Sequence, residues 1–528
     1  MSKYKPDQME PLKPTNRTAA DDAYQNFGRK EVNEYCGVFG IFNSSEAAKN
    51  IYYGLHALQH RGQESCGIVT STFDERKRKQ IMPAHRDFGL VLDAFADPEI
   101  FNSKLLGRNG IGHNRYSTSG ASDNRANIQP FVVGYRSGNI ALAHNGNLSN
   151  ARELRSVFSE RGTLFQTTSD SELILHLIAQ SRRQRQVDQI IDALTQVEGA
   201  FSLVMLTDES LIAVRDPNGF RPLCLGVLRE PSGDQPGTYC VASETCAFDM
   251  IGADYVRDIA PGEILIIDRE GAMTGQFTSY ELPRRFGTSQ CVFEYVYFSR
   301  PDSKVFGEMV DKVRRKIGKQ LAHDAPVPVP SDGDKKPIVI SVPDSSNTAA
   351  LGYVSECQKL GYKCKFEIGL IRNHYVGRTF ISPGQNVREQ KVRCKFNTVD
   401  GVLKDRIVVM IDDSIVRGTT ARFLVKMVRE AGAKEVHFRS ASPPVISPCY
   451  YGMDFPNPNE LIANRHNHDL DEIAEWLGVD SLAYLSRDGL MSAVEASAGN
   501  SESFCSACFG GEYPVPYESG VAKEENER

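Results

Sequence analysis

Three groups of residues in this 528-residue chain have types and spacings that could carry out chemistry. Cys36 stands directly before an apolar run, and a thiol can attack an amide carbon when a nearby base takes its proton. Asp412 and Asp413 end another apolar run and precede a loop of small and polar residues, a pattern suited to binding an anion where a helix begins. Cys505 and Cys508 form a CxxC pair, which is typical of metal or redox sites.

The length of the chain predicts two or more domains to position these groups. Hydrophobic residues make up 41% and charged residues 24%, as in soluble globular proteins, and no apolar run approaches the roughly 18 residues of a membrane span. The formal net charge of -6 argues against nucleic acid as a partner. Scattered cysteines and an N-terminus without an apolar signal core predict a cytoplasmic protein.

The two halves of the chain differ in their element pattern. Short apolar strands at 37–42, 68–71, 139–143 and 201–206, with a helical stretch at 172–179, predict a mixed α+β half. Beyond a segment rich in Pro, Asp and Lys at 321–336, strands at 338–342 and 407–411 each lead through a polar loop into a helix. This second half predicts an α/β fold with a doubly wound parallel sheet, whose ligands bind outside the carboxyl ends of the strands.

Cys36 taken alone could be a small buried core residue. Four further motifs change that balance, namely QHRGQE at 59–64, NRYST at 114–118, HNGN at 144–147 and SDSE at 169–172. In this order and spacing, residues 36–283 resemble the class II glutamine amidotransferases, which are N-terminal-nucleophile hydrolases with a four-layer αββα fold. The resemblance implies that Cys36 attacks glutamine once residues 1–35, a removable leader, are cleaved away. Its free α-amino group, with an ordinary pKa of about 7.7 to 8.0, then serves as the base.

The same resemblance assigns the residues around the nucleophile. The Asn145 side-chain amide and the Gly146 backbone N–H would stabilise the oxyanion, which makes Cys36, Asn145 and Gly146 the predicted catalytic set. Arg115 would pair with the α-carboxylate of glutamine and Asp170 with its α-ammonium group. Arg61, Gly62 and Thr118 would help to fix the pose. Singly, Arg115 and Asp170 could instead be surface ion pairs, and Asp170 could be a helix N-cap.

Residues 406–421 resemble the 5-phosphoribosyl diphosphate (PRPP) loop of the type I phosphoribosyltransferases. In mechanical terms, backbone N–H groups and hydroxyls at the start of a helix can hold the 5-phosphate, and the two aspartates face the ribose hydroxyls. The loop at 343–346 would contact pyrophosphate and Mg²⁺, with Ser346, Asp412 and Asp413 as the metal site. The residues predicted to bind PRPP are Asp344, Ser345, Arg372, Tyr375, Asp412, Asp413, Ser414, Arg417, Gly418, Thr419 and Thr420.

The basic stretch from Arg372 to Arg393 has two interpretations. By composition it is a solvated loop. By resemblance it closes over bound PRPP and places Tyr375 beside the path of ammonia. The commonest family form has Arg where this chain has His374, so that position is assigned no role.

Joined together, the two halves imply one reaction. Ammonia from glutamine displaces pyrophosphate from C1 of PRPP and gives 5-phosphoribosylamine, the first committed step of purine synthesis. Glucosamine-6-phosphate synthase shares the first half, but a sugar isomerase domain has no use for the PRPP loop. A catalytically silent nucleotide sensor is disfavoured because every expected catalytic residue is present. Purine monophosphates such as AMP and GMP, which carry the same ribose 5-phosphate, are expected inhibitors, and a homo-oligomer (dimer or tetramer) is expected.

The spacing of the CxxC pair leaves zinc, an iron–sulfur cluster and redox activity open. Cys291 and Cys449 match the other two ligand positions of the cluster-bearing branch of the family. With Cys505 and Cys508 they imply a structural [4Fe–4S] cluster. The resulting domain prediction is a leader at 1–35, a glutaminase domain at 36–283, a phosphoribosyltransferase domain at 284–490, and a cluster-ligating segment and tail at 491–528.

Overall fold

The structure is a computed structural model that describes residues 36–116, 124–284, 286–331, 335–373, 395–453, 455, 457–498 and 504–517. The predicted leader lies outside the described residues. Among the residues described, no helix is both long enough and apolar enough to cross a lipid bilayer.

The first half consists of strands with a few helices on either side. Its described strands are β1 (Gly37–Phe42), β2 (Ser65–Asp74), β3 (Lys79–Ile81), β4 (Ala84–Phe88), β5 (Asn109–Arg115), β6 (Phe131–Tyr135), β7 (Gly138–Leu148), β8 (Gly199–Thr207), β9 (Leu211–Arg215), β10 (Cys224–Arg229), β11 (Thr238–Ala242), β12 (Asp254–Asp258), β13 (Glu263–Ile267) and β14 (Thr278–Glu281). Its helices are α1 (Ala47–Ala57), α2 (Val91–Ala94), α3 (Ala151–Glu160), α4 (Ser171–Gln180), α5 (Gln186–Leu194), α6 (Cys246–Ile251) and α7 (Arg269–Thr274).

These strands form two sheets that pack face to face. Within the described residues, one sheet has eight strands in the order β12-β10-β11-β1-β5-β2-β3 with β4 also on β2, and the other has six in the order β14-β13-β9-β8-β7-β6. Val38, Ile111, Val204 and Leu265 belong to the apolar layer between the sheets. Helices α1, α2 and α6 cover the outer face of the first sheet, and α4 and α5 cover that of the second. The predicted αββα layering is therefore confirmed.

The second half alternates strands and helices. Its described strands are β15 (Gln290–Cys291), β16 (Lys304–Val305), β17 (Glu308–Met309), β18 (Ile338–Ser341), β19 (Lys365–Phe366), β20 (Leu370–Arg372), β21 (Phe396–Thr398), β22 (Ile407–Asp412), β23 (Glu435–Ser440), β24 (Ser481–Tyr484) and β25 (Phe504–Cys505). Its helices are α8 (Val310–Asp324), α9 (Asn347–Lys359), α10 (Asp400–Leu403), α11 (Thr419–Glu430), α12 (Ile462–Arg465), α13 (Leu470–Leu477), α14 (Arg487–Ala498) and α15 (Ala507–Gly510).

A parallel sheet organises this half. Within the described residues its order is β19-β18-β22-β23-β24, with every pairing parallel. Helices α8, α9 and α14 pack on one face, and α11 and α13 pack on the other, which confirms the doubly wound α/β prediction. β18 and β22 are adjacent, so the loops that follow their carboxyl ends meet at one edge of the sheet.

Candidate active sites

Cys36 lies at the start of β1, which sits between β5 and β11 in the eight-stranded sheet. Its side chain is buried, and Sγ donates to the Tyr116 carbonyl at 3.4 Å. Burial raises the pKa of the Cys36 thiol to about 11, although the hydrogen bond to Tyr116 and the charge of Arg115 act against this. The thiol is therefore protonated at neutral pH, and its attack on an amide requires a base to remove the proton.

Asn145 and Gly146 lie in β7, in the second sheet. Asn145 is fully buried, yet neither its Nδ2 nor its Oδ1 has a hydrogen-bond partner among the described residues. Buried polar atoms without partners are unfavourable, so a ligand is the simplest reason for their presence. Gly146 has φ of 153°, and a Cβ there would lie 2.1 Å from the Ala200 carbonyl oxygen, so only glycine fits. A backbone N–H and an available side-chain amide are the donors that an oxyanion requires.

Asp170 immediately precedes α4, but its side chain makes no capping hydrogen bond to that helix. Instead Oδ2 accepts from the Leu148 backbone N–H at 2.9 Å, and Oδ1 lies 3.6 Å from His144 Nδ1. Burial acts to raise the pKa of Asp170, but the His144 ring and these hydrogen bonds outweigh it and lower the pKa, so the carboxylate stays ionised. Asp170 and Arg115 are both buried, which makes the surface ion-pair alternative wrong.

The side chain of Arg61 is buried among other protein groups and is not free to reach a substrate. Its guanidinium is fully buried, donates to Glu244, and donates to Glu294 Oε2 at 2.5 Å and to Ser299 Oγ at 3.1 Å. Any contact of Arg61 with glutamine would therefore fall to its backbone. The neighbouring Gly62 packs on the backbone of Arg115, since a Cβ at residue 62 would lie 2.8 Å from the Arg115 carbonyl carbon.

Asp412, the last residue of β22, and Asp413, which follows it, meet the loop that follows β18. Ser346 Oγ donates to Asp412 Oδ1 at 3.1 Å, and Ser345 Oγ donates to Asp413 Oδ2 in a short hydrogen bond. Burial raises the pKa of both aspartates, and the charge of Asp413 raises that of Asp412 further. Ser414 Oγ also donates to Asp413, at 2.8 Å. The charge of Arg314 lowers the pKa of Asp413 but does not outweigh burial, so among the described residues this pair of carboxylates favours a further cation beside it.

The remaining predicted PRPP residues follow along the same edge. Arg372 Nη1 lies 3.3 Å from Asp344 Oδ2, and Arg417 Nε lies 2.8 Å from Glu460 Oε2. Gly418, with φ of 76°, immediately precedes Thr419, where α11 begins, so the loop opens into the N-terminus of that helix. Thr118, His374 and Tyr375 lie outside the described residues.

The four predicted cluster cysteines come from three separate segments. β15 pairs with β25 so that Cys291 faces Cys505, and the Cys291 and Cys505 thiols each interact electrostatically with Cys449, as does Cys508. Every cysteine in the described residues is a free thiol. No three His, Cys, Asp or Glu side chains in that part of the chain are arranged closely enough to hold a metal ion. The four thiols are therefore neighbours, although no three of them surround a single ion in the described part of the chain.

Several residues important to this architecture carried no sequence signal. Arg314 in α8 is buried and donates to the carbonyls of Tyr295, Tyr297 and Ser299 at 2.7 to 2.8 Å. Glu244 and Glu294 are fully buried partners of Arg61. No motif in the sequence marks these residues, so only the positions of their partners in space reveal them.

The comparisons with known proteins agree with this geometry. A family described as glutamine amidotransferase domain matches residues 113–249. An amidophosphoribosyltransferase of Arabidopsis thaliana is 46% identical over 97% of this chain and 84% of its own length. The Bacillus subtilis amidophosphoribosyltransferase is 44% identical over 92% of this chain and 95% of its own. The chain belongs to the amidophosphoribosyltransferase family.

Solved structures give the same result. The structure described as the allosteric regulatory enzyme of purine biosynthesis matches with a TM-score of 0.81 at 43% identity, over 93% of this chain and 99% of that one. The B. subtilis glutamine PRPP amidotransferase complexed with ADP and GMP matches with a TM-score of 0.80 at 42% identity, over 93% and 100%. The predicted reaction is confirmed: the chain is an enzyme that transfers ammonia from glutamine to PRPP in the first step of purine biosynthesis.

Proposed function

We propose that this reaction is divided between two sites built from the residues described above. Glutamine is cleaved by Cys36 with Asn145 and Gly146, and Arg115, Asp170, Thr118 and the Arg61-Gly62 turn hold the substrate. PRPP binds to the loops at 343–346 and 412–420, with Arg372 and Tyr375. The observation that carries this proposal is the buried Asn145 amide, whose two polar atoms have no partner among the described residues.

At the first site the chain's own groups can move every proton. After the leader is removed, the α-amino group of Cys36 takes the thiol proton, and Sγ attacks the glutamine amide carbon. The oxyanion accepts from Asn145 Nδ2 and the Gly146 N–H. The ammonium group returns its proton to the departing nitrogen, which leaves as ammonia, and water then hydrolyses the thioester to glutamate.

At the second site, ammonia attacks C1 of PRPP while pyrophosphate leaves, and no protein nucleophile is needed. The chain contributes by positioning: the N-terminus of α11 faces the 5-phosphate, and Arg372 is available to the pyrophosphate. Ser346, Asp412 and Asp413 fit Mg²⁺, because they offer hard oxygen donors and the aspartates' raised pKa values favour a neighbouring cation. Bound Mg²⁺ would neutralise charge on the pyrophosphate leaving group.

A single variant separates the two sites. Cys36→Ala should abolish glutamine-dependent formation of pyrophosphate and leave ammonia-dependent formation intact. Loss of both activities in a folded variant would contradict the assignment. Intact-mass measurement of active enzyme tests the leader, because normal glutaminase activity with residues 1–35 still attached would exclude the α-amino base.

The nucleotide proposal is that purine monophosphates of the AMP and GMP class compete with PRPP at residues 412–420. The relative solved with ADP and GMP supports it, since such nucleotides carry a ribose phosphate. AMP or GMP should raise the apparent KM for PRPP without changing the maximum rate. Inhibition that does not respond to the PRPP concentration would point to another site.

The four cysteines fit an iron–sulfur cluster as a donor set, since all are free and each thiol lies near others. We propose that Cys291, Cys449, Cys505 and Cys508 hold a structural [4Fe–4S] cluster that ties the chain's C-terminal segment to the second half. Iron, sulfide and zinc contents, with the visible absorption spectrum, distinguish the alternatives. Stoichiometric zinc, or no metal with a Cys505–Cys508 disulfide, would replace the cluster.

The remaining proposals concern organisation. We propose domain boundaries after residues 35, 283 and 490; the separate sheets on either side of residue 283 support the middle boundary, and limited proteolysis would test all three. A dimer or tetramer is proposed and is measurable by light scattering. A cytoplasmic location is proposed from composition.

A further inference from the structure

The turn that opens the proposed phosphate loop is covered by two apolar side chains from a later part of the chain. A Cβ at Gly418 would lie 2.4 Å from Ile462 Cδ1 and 2.9 Å from Trp476 Cζ3. Gly418 also has a positive φ, so glycine is required both by the backbone and by these neighbours. The shape of the turn therefore depends on residues about 45 to 60 positions further along.

The two residues before Gly418 are held by the same later segment. The Ile462 N–H donates to the Val416 carbonyl at 2.9 Å. Arg417 Nε donates to Glu460 Oε2 at 2.8 Å. Three successive loop residues thus each contact the segment at 460–476, which we call the loop clamp.

Trp476 is the last residue of the loop clamp and the only tryptophan in the sequence. The guanidinium carbon of Arg422, in the first turn of α11, lies 4.7 Å from its ring centroid, and that of Arg465 lies 5.6 Å away. Both arginines are exposed, and cation–π contacts of this kind fix the orientation of a ring. Trp476 therefore joins α11, α12 and α13 at the point where the loop becomes a helix.

We propose that Trp476, supported by Ile462, is a positioning residue for PRPP: it holds the Gly418 turn so that the loop N–H groups converge on the 5-phosphate. This inference rests on the proposed assignment of residues 412–420 to PRPP. Donors that are already in position bind an anion without the entropic cost of ordering the loop. A loosened turn should therefore weaken PRPP binding more than it lowers the rate at which bound PRPP reacts. Because Trp476 touches the turn, its fluorescence should also report that the loop is occupied.

The test uses the purified enzyme with ammonia as the nitrogen donor, so that the glutamine site does not contribute. Trp476→Leu should raise the KM for PRPP at least about tenfold with a smaller change in kcat, and Trp476→Phe should fall between it and the wild type. Glu475→Gln, an exposed change on the same helix, is the matched control and should leave the KM unchanged. In the wild type, PRPP should change the tryptophan emission with a midpoint near its KM.

Two further variants separate this inference from the proposed function. Ser414→Ala and Thr419→Ala alter the loop itself. If they raise the KM for PRPP while a folded Trp476→Leu does not, the clamp is overturned and the site assignment stands. If neither loop variant changes the KM, the assignment of the loop fails and the inference fails with it. Should Trp476→Leu not fold, a normal KM in Trp476→Phe together with unchanged wild-type emission at saturating PRPP would overturn the clamp.

Discussion

At the scale of single residues, Asn145 is the clearest sign of catalysis. Its side chain is fully buried with both polar atoms unpartnered among the described residues, an arrangement that burial alone would select against. An oxyanion would satisfy the amide Nδ2 only while the tetrahedral intermediate exists, so the stabilisation goes to the transition state and not to the substrate. The unpartnered amide thus destabilises the resting protein, but it leaves a donor free for the oxyanion during the reaction.

Asn145→Ala should lower the kcat of glutamine hydrolysis by about 10² to 10³, the usual effect of removing one oxyanion donor. The KM for glutamine should change little, and ammonia-dependent synthesis should be retained. Asn102→Ala, a change at an exposed asparagine in the same half of the chain, is the control and should behave as wild type. A loss of less than about threefold would exclude Asn145 from the oxyanion site.

Glu172 has a pH-dependent role next to Asp170. Its carboxylate accepts from the backbone N–H groups of Gln166 and Thr167, each at 2.8 Å, and so fixes the turn that leads to Asp170. Burial acts to raise its pKa, but hydrogen bonds from His176, Gln166 and Thr167 outweigh burial and hold the pKa at about 2. Because an unfolded Glu titrates near pH 4.3, this carboxylate stabilises the fold above about pH 4.3, and the contribution is lost as the pH falls toward 2.

Glu172→Gln should therefore lower the melting temperature at pH 7, and the difference from wild type should shrink as the pH is lowered from about 6 to 3. The KM for glutamine should rise because the Asp170 turn loosens. Exposed Glu153→Gln in α3 is the matched control and should show neither effect. A difference in melting temperature that does not vary with pH would mean that the charge of Glu172 is not what stabilises the turn.

At the scale of elements, the close crossing of α8 and α9 supports the pyrophosphate loop. A Cβ at Gly318 in α8 would lie 1.9 Å from the Ala349 carbonyl oxygen, and one at Gly352 in α9 would lie 2.1 Å from the Arg315 carbonyl oxygen. The two backbones therefore touch through glycines. α9 begins at Asn347, directly after Ser345 and Ser346, so a shift of this helix moves the predicted metal loop.

Gly318→Ala should destabilise the protein by about 1 to 3 kcal/mol through overpacking against backbone, and should raise the KM for PRPP. Gly401→Ala is the control, because nothing lies within 4 Å of its would-be Cβ and no positive φ is involved. It should be neutral or slightly stabilising in α10. Thermal melting and PRPP kinetics measure both variants. If the two variants had the same melting temperature and the same KM for PRPP, the helices at this crossing could move apart to accept a methyl group.

The elements show how far sequence reasoning reaches. The β22 strand predicted at 407–411 is found as Ile407–Asp412, and the predicted strand at 68–71 is found within the longer Ser65–Asp74. Local patterns were enough to predict these strands because a buried strand consists of consecutive apolar residues. The partners of Arg61 could not be predicted, since Glu244 and Glu294 lie 183 and 233 residues away along the chain and no local pattern indicates that they pair with it. The contact of the loop clamp with Gly418 could not be predicted for the same reason, because the two segments are far apart in the sequence.

At the scale of the whole molecule, a buried charge cluster joins the two halves. Glu294 forms ion pairs with Arg61 and with Arg221, and Arg221 Nη1 lies 3.3 Å from Glu294 Oε1. All three side chains are fully buried. Arg221 Nη2 also donates to the Tyr451 carbonyl at 2.7 Å, beside Cys449. Desolvated charges are tolerated when each is paired, so the cluster tightly specifies how the halves meet. If the reaction is divided between two sites as proposed, ammonia passes from one half to the other to reach PRPP.

Glu294→Gln should leave two buried arginines with too little negative charge and destabilise the enzyme by about 3 to 5 kcal/mol, as breaking a buried pair does. Arg185→Gln, which breaks an exposed pair with Asp188, is the control and should change the stability far less, because solvent screens that pair. At temperatures where Glu294→Gln remains folded, a loosened junction should let ammonia escape. The ratio of glutamate to pyrophosphate formed should then rise above one, while ammonia-dependent synthesis continues. A ratio that stays at one in the destabilised variant would show that the cluster supports stability alone and does not seal the path between the sites.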